Sequence, residues 1–392
     1  MDNSFVPKGW TDEIQARVSN IASALSAHGI DALLLADNVN LYYTSGRVFS
    51  GYTYITADGR VHYFVRRPVG FENQSDVDYV HKPELIPSLL ACQPKKVALL
   101  ADSLTQLEWQ RLSKVFPEAE VVDGTALMRQ IRSVKTPFEH SLLNADGIHH
   151  QAAYSRIPSV FRLGMTDIQL QIEIERLLRE EGCLGLFRVH GSSMEIFMAS
   201  VLAGDNADNP SPYDFAMCGA GPNLSIPVGA NGTVLEEGMA VMVDACGNFN
   251  GYMTDMTRTY RIGNVSDLSI KAHELSISVN HALATNFGAG SPAKSLYEMA
   301  YNMSEEAGMQ PYFMGHRQKA GFVGHGVGIE VNEAPVLAPR SKDILVEGQV
   351  IAIEPKYVIP GVGAVGVENT YIVRQDHLEC ITNAPEALIN LL

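Results

Sequence analysis

Two aspartates, Asp244 and Asp255, stand in a segment, 241–263, that is otherwise largely apolar and strand-like. Successive side chains on a strand alternate between faces, so Asp244 shares a face with Met242 and Cys246. The intervening residues FNGYMT are typical of a turn and return that could bring Asp255 alongside Asp244. Facing carboxylates in an apolar setting repel each other and are costly to desolvate unless a cation lies between them. The pair therefore predicts a bound metal ion, provided that other ligands exist.

Three more candidate ligands follow downstream. His325 is flanked by glycines in GHGVGIEVNEAP, and glycines allow close approach of the backbone. Glu354 lies in the apolar run VIAIEPKYVIP and Glu368 in the apolar run GAVGVENTYIV. Taken singly, such residues are more typical of a solvated strand face or a loop, so the combination carries the prediction. Two aspartates, two glutamates and one histidine suit two divalent ions sharing bridging carboxylates, with Mn first and Co, Fe or Zn as alternatives.

The composition narrows the class of protein. The chain has 392 residues, of which 46% are hydrophobic, and this length and composition predict a soluble protein of about two domains. Its 29 basic and 44 acidic residues give a net charge of -15, which argues against nucleic acid as a partner. The N-terminus has neither the basic nor the apolar region of a signal peptide, and no apolar run approaches a membrane span, so we predict a cytoplasmic protein without a membrane partner.

The chain falls into two parts by pattern. Residues 11–30 show helical spacing before a short apolar run, and strand-like and helical segments then alternate to about residue 130. This order predicts an α/β domain over residues 1–130. Residues 127–157 predict one long amphipathic helix, and 166–182 predict a second helix that starts at a threonine cap and ends at a glycine. A second domain of α+β type is predicted over residues 131–392.

The motifs VDACGNFNGYMTDMTR, GHGVGIEVNE, IAIEP and GVENTYIV, in this order, resemble the M24 metallopeptidase family. This family shares the pita-bread fold and includes aminopeptidase P, prolidase, methionine aminopeptidase and creatinase. The segment IDALLLADNVNLYYTSG is similar to the family's creatinase-type N-terminal domain. The resemblance therefore covers nearly the whole chain and implies a pita-bread catalytic domain behind an α/β N-terminal domain.

The resemblance also implies roles for the candidate ligands. In peptidases of this family Asp255 and Glu368 would bridge two ions, Asp244 would complete one site, and His325 with Glu354 would complete the other. Such ions lower the pKa of a shared water and polarise a carbonyl. A homodimer is a further expectation from the resemblance.

Other positions depart from the family pattern. Peptidases of the family usually carry histidines where this chain has Val228, Gly321 and Asn332. Such histidines are thought to bind the carbonyl or pass a proton to the leaving amine, and losing such a group costs about 10² to 10⁴ in rate. Gly366 and Asn369 stand where Arg and Asp are often found. The ligands thus indicate a metal enzyme whose surroundings differ from those of the usual peptidase.

The substrate side of the site is predicted from the same resemblance. Asn332, which can still donate an amide N–H to an oxyanion, and Glu333, which matches the Glu of the HE pair, are the catalytic candidates. His190, Arg188 and Val228 are the candidates for substrate contact. For His190 and Arg188, a packed or surface histidine and a solvated arginine are the alternative interpretations.

Three functions remain open at this point. The first is a dinuclear metal-dependent peptidase of the prolidase or aminopeptidase P type that cleaves a short Xaa-Pro peptide. The second is a metal-dependent hydrolase or lyase of a small non-peptide substrate on the same scaffold, which the missing histidines favour. The third is a non-catalytic binding protein, against which five intact ligands argue.

Overall fold

The computed structural model describes residues 4–72, 74–191 and 194–392. The chain divides into two compact units, Met1–Arg132 and Ser133–Leu392. Among the described residues, no helix combines the length and the apolar character that a membrane span requires.

The first unit alternates helices and strands. In chain order its elements are α1 (Thr11–Ala27), β1 (Ala32–Leu35), α2 (Asn38–Ser45), β2 (Ser50–Thr56), β3 (Val61–Arg67), β4 (Val77–Tyr79), α3 (Ile86–Leu89), β5 (Lys96–Leu99), α4 (Gln106–Ser113), β6 (Glu120–Asp123) and α5 (Thr125–Ser133), the last of which ends at the boundary. The strands form one mixed sheet in the order β4-β3-β2-β1-β5-β6. The central strand β1 is buried along its whole length, which explains its continuous apolar sequence.

The second unit carries the candidate ligands. Its elements are α6 (Pro137–Ser155), α7 (Ile157–Val160), α8 (Asp167–Glu180), β7 (Ala199–Ala203), β8 (Ala240–Gly247), β9 (Thr254–Arg261), α9 (Asp267–Asn286), α10 (Ala293–Glu306), β10 (Gly324–Gly326), β11 (Glu333–Val336), β12 (Val350–Ile353), β13 (Lys356–Ile359), β14 (Gly363–Gly366), β15 (Asn369–Val373), β16 (Leu378–Cys380) and β17 (Ile389–Asn390). One sheet has the order β17-β9-β8-β7 and another the order β11-β10-β12-β15-β16, while β13 and β14 form a hairpin.

The long helix predicted over residues 127–157 is wrong in one respect, because the structure breaks it into α5 and α6. Thr136 caps α6 by accepting a hydrogen bond from the backbone N–H of Glu139, and the Glu139 side chain accepts one from the Thr136 N–H. Pro137 occupies the first turn, where its missing N–H is harmless. This capping box starts a new helix in a region where the apolar spacing alone is continuous.

Asp146 is an acidic group in the core of the second unit. It lies on α6 with no exposed surface, and its Oδ2 accepts a hydrogen bond of 3.4 Å from the backbone N–H of Phe249. Its Oδ1 has no hydrogen-bond partner among the described residues. Burial raises the pKa of Asp146 from 3.8 to about 8.

This raised pKa predicts a pH-dependent stability. Between pH 4 and pH 8 the folded chain keeps a proton on Asp146 that the unfolded chain releases. The contribution of protonated Asp146 to the free energy of unfolding is therefore full at low pH, falls as the pH rises, and is lost once the pH passes about 8. Asp146→Asn should therefore raise the free energy of unfolding at pH 8 by about 1–3 kcal/mol and change it little at pH 4. Urea unfolding at several pH values measures this. The exposed Asp214→Asn variant is the matched control, and a wild-type pH slope in Asp146→Asn would contradict the assignment.

Candidate metal centre

The β8–β9 hairpin places the two aspartates side by side. The strands pair antiparallel with Asp244 opposite Thr257 and Cys246 opposite Asp255, so both aspartates and the cysteine lie on one face. The Cys246 Sγ lies 3.7 Å from Asp255 Oδ1. Burial, followed by the charges of Asp255 and Asp244, holds the pKa of the Cys246 thiol well above its usual range. The thiol is therefore protonated and lies against Asp255 on the face that carries the candidate ligands.

The other three candidates come from neighbouring strands of the second sheet. His325 lies on β10, Glu354 follows the end of β12, and Glu368 precedes the start of β15. Strand β12 lies between β10 and β15, which brings these three side chains to one region. The two sheets are joined at the site, because Thr370 Oγ1 donates to the carbonyl of Asp255 (2.8 Å) and accepts from its N–H (2.9 Å).

One group of side chains has the chemistry of a divalent-ion site. Ligand atoms of Asp255, His325 and Glu368 lie within 4.8 Å of one another. Glu354 adjoins the group, since its Oε1 is 3.6 Å from His325 Nε2. The buried Oε1 of Glu368 has no hydrogen-bond partner among the described residues. A buried carboxylate oxygen without a partner is costly, and a cation between these residues would satisfy it.

The orientation of His325 suits a ligand. Its Nδ1 lies 3.1 Å from the carbonyl oxygen of Gly326, which can only accept a hydrogen bond. In the neutral ring the proton is therefore on Nδ1, and Nε2 presents its lone pair toward Asp255 and Glu354. The site residues present thus fit one divalent ion.

The second group of carboxylates already contains a cation. The ammonium nitrogen of Lys356 lies 2.8 Å from Asp244 Oδ2, 2.7 Å from Glu354 Oε2 and 3.0 Å from Glu368 Oε2. These are the same three residues that form the other potential ion-binding group. The lysine side chain has no exposed surface, and its three N–H groups match its three carboxylate partners.

The electrostatics of the cluster follow from burial and from crowding of like charges. Burial raises the pKa of Asp255 well above its usual value, and the charges of Asp244 and Glu354 raise it further. Burial also raises the pKa of Glu368 well above its usual value, and the charges of Asp255 and Glu354 raise it further. Burial by itself lowers the pKa of Lys356, but its three carboxylate partners outweigh this and hold that pKa well above the usual range. Lys356 is therefore an ammonium ion, and among the four carboxyl groups of the cluster Asp255 is the one that it does not contact.

A buried arginine, Arg258, forms hydrogen bonds with residues of the cluster and with their neighbours in the chain. The guanidinium of Arg258 donates to the backbone carbonyls of Thr257 (2.7 Å) and Glu368 (2.8 Å), and to Asn369 Oδ1 (2.7 Å). The Thr257 hydroxyl donates to Glu368 Oε2 at 2.8 Å. These contacts fix the position of Glu368 and leave its Oε1 available.

The two predicted catalytic residues lie on the segment that ends in β11. Both polar atoms of the Asn332 side chain contact the backbone of His190, with Oδ1 accepting from its N–H (2.6 Å) and Nδ2 donating to its carbonyl (3.0 Å). Glu333 is buried, and its Oε2 accepts from Lys135 Nζ at 2.9 Å. Its Oε1 accepts from the backbone N–H of Ile329 at 3.0 Å. The contacts of Asn332 and Glu333 thus organise the chain around the site.

The predicted substrate contacts are placed as follows. His190 Nδ1 lies 3.6 Å from Glu330 Oε1, and Arg188 Nη1 lies 3.5 Å from the carbonyl oxygen of Gly251. Val228 is buried, with its backbone packed against Gly221. Asn332 therefore brings His190 into contact with the segment that follows His325, whereas Val228 belongs to a different loop.

Sequence reasoning missed Lys356 and Lys135. Lys356 had a readable signal, because it is a charged residue in the apolar run VIAIEPKYVIP, two positions after a predicted ligand. Residues two apart on an extended chain share a face, which would have placed the lysine beside Glu354. Lys135 offered no comparable signal, since its partner Glu333 is remote in sequence.

The fold and the cluster together define a metallopeptidase-type hydrolase. Residues 142–375 match the metallopeptidase family M24, and residues 17–134 match the creatinase/prolidase N-terminal domain. The chain belongs to metallopeptidase family M24. The predicted family, the predicted hydrolase class and the expectation that divalent ions are involved at the family level are thereby confirmed.

Several relatives match nearly full length. The Xaa-Pro dipeptidase of Pyrococcus horikoshii is 24% identical over 383 residues, covering 96% of this chain and 100% of the relative. An uncharacterized peptidase, YqhT, of Bacillus subtilis is 25% identical and covers 93% of this chain and 96% of the relative. Among solved structures, the Xaa-Pro dipeptidase from Bacillus anthracis has a TM-score of 0.79 at 24% identity, covering 96% of this chain and 99% of that one. The predicted pita-bread fold with its α/β N-terminal domain is confirmed.

Proposed function

We propose that this chain is a divalent-metal-dependent hydrolase of amide bonds in short peptides, with Xaa-Pro dipeptides as the first substrates to test. The observation that carries the proposal is the group of Asp255, His325 and Glu368, whose ligand atoms lie within 4.8 Å of one another. The names of the relatives, Xaa-Pro dipeptidase among them, support the choice of substrate.

The residues of the site would act as follows. A bound divalent ion would supply Lewis-acid polarisation of a carbonyl and a water of lowered pKa. Asp255, His325 and Glu368 would hold it, with Glu354 beside them. The Thr257 hydroxyl and the Arg258 guanidinium keep Glu368 in place, and the Gly326 carbonyl keeps the His325 proton on Nδ1.

The substrate side rests on the sequence resemblance and on the contacts around β11. We assign His190 and Arg188 to substrate contact, and Val228, on a different loop, is the third candidate. In this proposal Asn332 positions the His190 backbone. Glu333 holds the turn at 329–333 through its Oε1, which accepts from the backbone N–H of Ile329, while its Oε2 pairs with Lys135. None of these contacts replaces a proton-transfer histidine, so peptide hydrolysis is expected to be slower by about 10² to 10⁴ than in a peptidase that has one.

A second candidate function is favoured by the three positions at which this chain lacks the histidines of the family pattern. Val228, Gly321 and Asn332 stand where the family pattern has histidines, and Gly321 borders open space, since a Cβ added there would meet no heavy atom within 4 Å. A small non-peptide substrate, hydrolysed or cleaved by elimination, would not need a histidine that protonates a leaving peptide amine. This alternative keeps the same metal ligands.

Hydrolysis of a panel of Xaa-Pro dipeptides and Xaa-Pro-Xaa tripeptides tests the proposal. The protein would be equilibrated separately with Mn, Co, Fe or Zn, with Mn proposed as the first ion. Cleavage that a chelator abolishes and added ion restores is the expected result. Bound ion without cleavage of any peptide would overturn the peptide substrate and favour the small-molecule alternative. Light scattering on the same samples tests the homodimer that the family resemblance implies.

A further inference from the structure

Lys356 lies where a second cation would be bound. Its ammonium nitrogen contacts Asp244, Glu354 and Glu368 at 2.7–3.0 Å, and these three residues make up one of the two potential ion-binding groups. Divalent ions of the Zn or Mg type bind carboxylate oxygens at about 2.0–2.2 Å. An ion among the same three oxygens would therefore have to overlap the ammonium group. The two cations exclude each other on both steric and electrostatic grounds.

The backbone around Lys356 is built to hold it there. The lysine opens β13 directly after Pro355, and its carbonyl accepts a hydrogen bond of 2.8 Å from the Met314 N–H. Across the hairpin its partner is Gly366. A Cβ at Gly366 would lie 2.9 Å from the Pro355 carbonyl oxygen and 3.0 Å from the Lys356 Cα, so a side chain at this position would displace the lysine backbone.

Lys356 lies opposite one of the positions at which this chain departs from the family pattern. Gly366 stands where the family often has an arginine, and its cross-strand neighbour is Lys356. The sequence thus lacks a cationic side chain on one strand and carries one on the other. The lysine side chain is fully buried, unlike a mobile surface lysine, and all its N–H groups face carboxylates.

We propose that Lys356 is a built-in cation that replaces one of the two divalent ions, so that the centre binds a single ion at Asp255, His325 and Glu368. Asp244 would then be a partner of the lysine and not a metal ligand. The proposal deepens the proposed function and rests on it only for the site of the remaining ion.

Metal content of three proteins tests this directly. Wild type, Lys356→Ala and Asp244→Asn would each be equilibrated with excess Mn, passed through gel filtration and analysed for Mn per chain. We expect one ion in the wild type and a twofold rise to two ions in Lys356→Ala. The exposed Lys271→Ala variant is the matched control and should bind as many ions as the wild type.

Asp244→Asn keeps the test decisive if Lys356→Ala does not fold. Asp244 pairs with the lysine and lies outside the group that would hold the ion, so this variant is expected to retain the wild-type count, whereas in a two-ion centre it would lose an ion. Two ions in the wild type, an unchanged count in folded Lys356→Ala, or a lower count in Asp244→Asn would each overturn the proposal. No ion in the wild type and one in Lys356→Ala would support the role of the lysine but refute the ion site of the proposed function.

Discussion

Replacing Asp255 with Asn is expected to remove the bound ion and to lower kcat/KM for any metal-dependent substrate by about 10³. Asp255 contributes to the ion-binding group with His325 and Glu368. Its amide counterpart keeps the shape of the side chain but loses the charge that attracts a cation. The measurement is Mn per chain together with the rate of hydrolysis.

Whether Asp255→Asn is more or less stable than the wild type should depend on whether the ion is present. In chelator, Asp255→Asn relieves repulsion between buried carboxylates and should be the more stable protein. With ion at 100 times its Kd, the wild type gains about 2.7 kcal/mol by linkage and the variant gains nothing. Thermal unfolding in chelator and in Mn measures both effects, and the exposed Asp376→Asn is the matched control. An equal response of Asp255→Asn and wild type to Mn would contradict the assignment.

Replacing Arg258 with Met is expected to lower the free energy of unfolding by about 3–5 kcal/mol. The buried guanidinium donates to Thr257, Glu368 and Asn369 and also to three further backbone carbonyls, those of Thr382, Ala384 and Pro385, with Ala384 contacted by two nitrogens. Methionine fills much of the volume but removes all of these donors from acceptors that are mostly buried.

Urea unfolding of Arg258→Met, Arg258→Lys and Arg374→Met gives the comparison. Lysine has one donor nitrogen where arginine has three, so Arg258→Lys should recover only part of the lost stability. Arg374 forms a partly exposed ion pair with Glu379, and its loss should cost less than about 1 kcal/mol. Equal effects of Arg258→Met and Arg374→Met would show that the Arg258 network contributes little.

The sequence was sufficient for those features that depend on local pattern. The strand-turn-strand pattern of residues 241–263 predicted a hairpin, and the structure forms β8 and β9 there. Thr166 was predicted to cap a helix, and its hydroxyl accepts from the Gln169 N–H at the start of α8. The five candidate ligands were predicted from their order along the chain and from the apolar or glycine-rich segments around them. The structure brings these five side chains together in one cluster.

Features that depend on tertiary partners were not predicted. Glu354, two residues from Lys356, was a readable local signal, but the other two acceptors, Asp244 and Glu368, are 112 and 12 residues away, so the full set of partners appears only when the sheets are assembled. A lone lysine in a strand is also typical of an edge that faces solvent. The break between α5 and α6 had a readable capping box at Thr136, but the continuous apolar spacing outweighed it.

The most direct test of the centre is a crystal structure of the Mn-equilibrated protein with anomalous data collected above the Mn absorption edge. We expect one anomalous peak per chain, between Asp255, His325 and Glu368, with the Lys356 ammonium still bound by Asp244 and Glu354. A peak between Asp244, Glu354 and Glu368 with the lysine displaced, or no peak at either group, would contradict a single-ion centre completed by the lysine.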